Sequence, residues 1–125
     1  MLSRAIEQSK LSLSPRTKTG SVIVNEAGEI LGEGCNTNLP NWGPSEWAVH
    51  AELNAIFDML RKSNGKSQDN LTMYNTWEPC LGCLKHAHRV GIKTIYFATP
   101  ITPEWDEPQR LAFAQAAGVK LTKID

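Results

Sequence analysis

The sequence predicts an α/β protein, a three-layer α/β/α sandwich on a five-stranded mixed sheet. Three observations predict it. First, the three strand-like runs in the second half of the chain, starting at Leu71, Thr94 and Val119, are joined by amphipathic, helix-length segments. Such crossovers make the joined strands parallel and cover both faces of the sheet. Second, two strand-like runs near the N-terminus flank Asn25-Glu26-Ala27-Gly28, whose turn chemistry makes an antiparallel hairpin and therefore a mixed sheet. Third, 125 residues give one real core with no room for a second, so a single domain over 1–125 is expected.

The elements follow in order. Residues 1–13 carry Leu2, Ala5, Ile6 and Leu13 between polar residues, a short amphipathic helix broken by Ser14-Pro15. Arg16 to Gly20 form a basic, polar loop. Ser21 to Val24 (SVIV) is β-branched and reads as a buried strand, and Glu29 to Gly32 or beyond pairs back on it. From Gly34 to Ser45 the composition turns to Gly, Asn and Pro. A loop of about a dozen residues inside a domain is usually functional, and this one leads to His50. Its Asn36 can both donate and accept hydrogen bonds. Trp42 and Trp47 suit pocket walls, core packing or subunit contact.

Ser45 is an N-cap candidate for a helix through Arg61, with Glu46 near its positive end. His50, Leu53, Phe57 and Leu60 recur at helical spacing, which places His50 inward with an apolar stripe. Asn64-Gly65 ends that helix. Leu71 to Thr76 (LTMYNT) is a central strand leading into Trp77-Glu78-Pro79. Pro79 suits the first turn of the next helix, with Cys80 at its N-terminus, where the dipole favours thiolate. That helix runs to Val90 and stops at Gly91. Thr94 to Ala98 is the fourth strand, Pro100 to Glu107 a loop, Pro108 to Ala117 a helix ended by Gly118, and Val119 to Ile124 the last strand.

Composition excludes several classes. Thirteen basic and thirteen acidic residues give net charge zero, so no global field draws a polyanion. No apolar run approaches a membrane span and the N-terminus has no signal-peptide core. Three cysteines do not make a disulfide framework, and a cytoplasmic location is expected.

The chemistry lies in His50-Ala51-Glu52 and Pro79-Cys80-Leu81-Gly82-Cys83. His50, Cys80 and Cys83 are standard zinc ligands, and three protein ligands leave a tetrahedral Zn2+ one open position, where water becomes a nucleophile near neutral pH. Glu52 is then a spare carboxylate, placed to move protons. A C-x-x-C alone could be a redox pair or half of a structural zinc site. A redox pair would not need His50 or Glu52. A structural site would be closed by a fourth ligand from Cys35, His86 or His88; Cys35 is expected to be a free thiol, and His86 to stay off the metal. H-x-E followed by P-C-x-x-C is an established signature of zinc-dependent nucleobase deaminases.

With these residues in view, the chain resembles the cytidine and deoxycytidylate deaminase superfamily over nearly its full length. HAELNAI at 50–56, KTGSVIV at 18–24, GEGCNTNLP at 32–40 and GIKTIYFA at 91–98 all resemble deoxycytidylate (dCMP) deaminases. The resemblance implies the cytidine deaminase-like fold and hydrolysis of dCMP to dUMP with release of ammonia. It carries over His50, Cys80 and Cys83 as zinc ligands, Glu52 as proton shuttle and Asn36 as a sugar contact. It also implies a homo-oligomer whose subunits complete one another's sites. Ala51, Trp77 and Glu78 are further candidate substrate contacts. A monophosphate needs a cationic or amide-rich anchor. Arg16 and Lys18 are the candidates, with Lys10 and Arg110 more distant ones.

One departure keeps other substrates in view. Glu-Pro-Cys at 78–80 is more usual in tRNA adenosine deaminases and some purine-base deaminases. The alternatives are therefore a free base or nucleoside such as cytosine or guanine, tRNA adenosine, and, outside enzymes, a zinc-stabilised binding module. Against RNA stand the zero net charge and the expectation that the fold ends at its fifth strand, without the additional helix of the tRNA enzymes. No nucleotide-effector motif is evident, so allosteric control is not expected.

Overall fold

Gly20–Val24, buried at every position, forms strand β1 at the heart of the sheet. Its alternate residues serve two layers, as the period of a strand requires. Ile23 belongs to a core cluster with Ala55, Ile56 and Met59 of one helix, Leu84 and Ala87 of a second and Ala114 of a third. Val22 and Val24 pack on the opposite face against Ala5. Those are the three layers that the sequence predicts. The computed structural model describes residues 1–14, 17–37, 48–66 and 68–124.

In chain order the elements are α1 (Leu2–Ser9), β1 (Gly20–Val24), β2 (Ile30–Cys35), α2 (Ala51–Lys62), β3 (Leu71–Trp77), α3 (Leu81–Arg89), β4 (Ile92–Thr99), a 3-10 turn at Pro103–Trp105, α4 (Arg110–Ala117) and β5 (Lys120–Lys123). The sheet order is β2-β1-β3-β4-β5. β1 runs antiparallel to β2 and β3, while β3, β4 and β5 are parallel. The five-stranded mixed sheet of the sequence reading is thus present, with crossover helices α3 and α4 between its parallel strands.

Four expectations are corrected. The helix expected from Ser45 begins at Ala51, with His50 as its N-cap; Ser45 and Glu46 lie outside the described residues. Its buried face is Ala51, Glu52, Ala55, Ile56 and Met59, while Phe57 is exposed and Leu53 and Leu60 only flank it. The cause is a close approach. A Cβ on Gly34 of β2 would lie 2.8 Å from the Asn54 Cβ and 2.9 Å from the Ala55 nitrogen, so α2 rests directly on strand backbone. Only small residues fit that contact, and the large apolar side chains that suggested the stripe turn aside. The N-terminal helix stops at Ser9, so Leu11 and Leu13 are exposed rather than part of its apolar face. Pro79 precedes Cys80, the N-cap of α3, rather than entering the first turn. Among the described residues no helix is long and apolar enough to cross a membrane.

Candidate active site

The two motifs meet because two helices start side by side. His50 is the N-cap of α2 (φ −64°, ψ 150°) and Cys80 the N-cap of α3 (φ −77°, ψ 172°). Both are extended, as cap residues are. Cys83 follows in the first turn of α3 and is buried. The His50 Nδ1 lies 3.2 Å from the Cys83 Sγ and 3.6 Å from the Cys80 Sγ. All three donor atoms fall within 4.8 Å of one another.

These residues fit a zinc ion. Bonds of about 2.1 Å to nitrogen and 2.3 Å to sulfur at a tetrahedral angle separate the two donors by about 3.6 Å. One observed separation equals that and the other needs only a small outward shift. Among the described residues no fourth His, Cys, Asp or Glu joins the group. The His86 Nδ1 is instead 2.6 Å from the Gly82 carbonyl oxygen. Cys35 ends β2 as a free thiol.

The donor charges are prepared for a cation. Hydrogen bonds from Cys83 and His50 outweigh burial and pull the Cys80 thiol from 9.0 down to about 4. Its hydrogen bond to Cys80, with burial, holds the Cys83 proton in place and raises that thiol. Cys80 raises the His50 imidazole through their hydrogen bond. A divalent ion would take over the role of the shared protons. Glu52, in the first turn of α2, is only 8% exposed, and burial raises its carboxyl above 4.5. It faces Cys83.

The other candidate residues divide. Ala51, the first residue of α2, is fully buried. Both ends of the Asn36 amide hold the loop before β1: the Thr19 N–H donates to its Oδ1 (2.9 Å), and its Nδ2 donates to the Thr17 carbonyl (2.7 Å). Trp77 ends β3 beside Thr99 and is half-buried. Lys18 is exposed; Arg16, Trp42 and Trp47 lie outside the described residues. Glu78, expected as a substrate contact, has both carboxylate oxygens engaged. One accepts the Ile101 N–H (3.0 Å) and the other the Arg110 Nη1 (2.6 Å). Arg110 is therefore a buried ion-pair partner rather than a phosphate anchor. A signal for it exists in sequence: a cation opening a helix opposes the dipole, so it must be held by something else.

Ser21 of β1 faces Asn75 of β3 across the antiparallel ladder. The Ser21 Oγ and both polar atoms of the Asn75 side chain are buried without a hydrogen-bond partner among the described residues.

Residues 1–99 match the family model of the cytidine and deoxycytidylate deaminase zinc-binding region. The chain belongs to this family. The matched residues include His50, Cys80 and Cys83, the group able to hold the family's zinc ion. Over 75 residues this family member is 40% identical to the deoxycytidylate deaminase of Enterobacteria phage T2, covering 54% of this chain and 39% of that protein. It is 36% identical over 94 residues to the tRNA-specific adenosine deaminase subunit tad2 of Schizosaccharomyces pombe, covering 74% of this chain and 23% of that protein. The chain thus spans well under half the length of these curated relatives. Among solved structures, the dCMP deaminase of cyanophage S-TIM5 in complex with dCMP and dUMP superposes with a TM-score of 0.81 at 25% identity, over 98% of this chain and 93% of that one.

Proposed function

We propose that this chain, as a single domain over 1–125, is a zinc-dependent hydrolytic deaminase that converts dCMP and water to dUMP and ammonia. The observation that carries the reading is the convergence of His50, Cys80 and Cys83 with a buried carboxylate, Glu52, beside them. When bound, zinc supplies a Lewis acid that acidifies water at its open position. His50, Cys80 and Cys83 would hold that ion. Glu52 takes a proton from the attacking water, delivers it to the ring nitrogen beside the amino-bearing carbon, and then assists departure of the amine. Its burial favours the protonated form, which makes it a ready donor as well as an acceptor.

The Ala51 N–H, Trp77 and Asn36 are the substrate contacts of this reading. Asn36 retains one amide hydrogen and one lone pair beyond its loop bonds. Arg16 or Lys18 anchors the phosphate. Glu78 supports the site rather than touching substrate. The substrate assignment is supported by the cyanophage enzyme, whose structure holds dCMP and dUMP on a closely similar fold. Self-association and a cytoplasmic location complete the proposal; Trp105, 72% exposed, suits a subunit contact.

The test is side-by-side turnover of dCMP, deoxycytidine, cytosine, guanine and a tRNA anticodon stem-loop by the zinc-loaded protein, read as ammonia release. dCMP is expected to be preferred. Preference for an unphosphorylated base would reject dCMP, preference for the stem-loop would favour the likeness to the tad2 subunit, and no turnover of any would leave a zinc-stabilised binding module. Light scattering that shows a monomer would count against self-association.

A further inference from the structure

Glu78 and Arg110 lie 32 residues apart and meet almost out of reach of solvent, with side chains 11% and 3% exposed. Their position is specific. The Glu78 N–H donates to the Thr99 carbonyl (2.8 Å), so the ends of β3 and β4 lie side by side. From these ends β3 enters Pro79-Cys80, and β4 enters the segment 100–109. The Glu78 carboxylate binds the Ile101 N–H with one oxygen and Arg110 with the other. The Arg110 Nε in turn donates to the Asp106 Oδ1 (2.9 Å). One buried guanidinium and one carboxylate thus hold both ends of residues 101–106 to the residue two before Cys80.

Stability alone is a poor reason for this arrangement. Arg110 opens α4, where the helix dipole opposes a cation. Burial lowers its pKa, and only the hydrogen bonds and charges of Asp106 and Glu78 bring it above the ordinary value. Buried ion pairs seldom add net stability over apolar residues of the same size, but they do impose geometry. Open α/β sheets bind ligands at the carboxyl ends of their parallel strands, where this segment emerges.

We propose that Glu78 and Arg110 are positioning residues that clamp the 101–106 segment against the Pro79-Cys80 junction as a fixed wall of the substrate pocket. The proposal rests on the deaminase reading and deepens it. The clamp touches the wall rather than the reacting atoms, so it governs substrate affinity more than the chemical step.

The experiment compares the zinc-loaded parent with Glu78→Gln/Arg110→Met and with Arg110→Lys. The double variant removes both charges at similar volume and keeps an acceptor for Ile101, so folding should be preserved. Its KM for dCMP should rise about tenfold with kcat within about threefold, the pattern of lost binding rather than lost chemistry. Hydrogen exchange of the 101–106 amides should quicken about tenfold, with zinc content unchanged. Arg110→Lys keeps the charge but loses the two-pronged geometry, so its KM should fall between the other two. Unchanged KM and unchanged exchange in the double variant would overturn the proposal. So would a fall in kcat with loss of zinc at constant KM. If the parent deaminates nothing, the deaminase reading fails by itself, and exchange still decides whether the clamp exists. If the double variant does not fold, Arg110→Lys carries the test.

Discussion

Replacing Glu52 by Gln tests the proton-shuttle role most directly. The residue is 8% exposed and lies beside Cys83, so a substitution of equal size is needed to avoid a cavity. Gln keeps the volume and removes the titratable carboxyl. Glu52 is not one of the three converging donors, so zinc should stay bound at one per chain. General acid–base groups contribute about 10²- to 10⁴-fold, and at about 1.36 kcal/mol per decade the barrier should rise by about 2.7–5.4 kcal/mol. The same residue serves proton uptake and proton delivery, which puts the loss at the upper end. The fold should not suffer: burial disfavours the ionised form of the native carboxyl, and an amide has no such form. Ammonia release from saturating dCMP, measured beside metal content and a thermal melt, gives all three quantities. Turnover within about tenfold of the parent at full zinc content would refute the role, being below the range such groups contribute. Loss of zinc would show that Glu52 supports the metal instead.

Three further outcomes follow from the geometry. In chelator-treated protein Cys80, with its thiol at about 4, is thiolate throughout the neutral range, whereas an ordinary thiol at 9.0 gains thiolate tenfold per pH unit up to that value. Alkylation should therefore reach Cys80 ahead of Cys83 at pH 6, at a rate nearly flat with pH, and zinc should block it; a rate still climbing toward pH 9 would contradict the assignment. Gly34→Ala would drive a Cβ to within 2.9 Å of the Ala55 nitrogen, which should cost about 1–3 kcal/mol in urea unfolding; an unchanged midpoint would show that α2 does not rest on β2 backbone. Ser21→Ala/Asn75→Val removes three buried polar atoms that have no partner among the described residues and should stabilise the fold by about 1–3 kcal/mol. A loss of stability would mean that a buried water satisfies them.

The metal donors were legible because their chemistry is local: an H-x-E triplet and a P-C-x-x-C run each declare themselves within five residues. The strands were legible for the same reason, since SVIV and TIYFA carry β-branched and aromatic residues without a break. The start of α2 was not. Ser45 is a better cap by composition than His50, and the start at Ala51 shows only once His50 is seen set against the cysteines of α3. The face of that helix was misjudged because Leu53, Phe57 and Leu60 look like a core stripe. The deciding fact is the absence of side chains at Gly32 and Gly34 on another element. The Glu78–Arg110 pair was not legible, because its two members lie 32 residues apart.

Both helices at the site begin with a residue that does not cap them. Neither His50 nor Cys80 makes a side-chain hydrogen bond to its own first turn, where Ser, Thr, Asp or Asn would. Each helix start thereby forgoes about 1 kcal/mol of local stability. The two helix N-termini meet at His50 and Cys80, so two dipole ends add their positive potential there. That field favours thiolates over thiols, and it favours any anion that settles between the helices. Local weakness at two helix ends thus becomes a standing electrostatic bias, present before any ligand arrives.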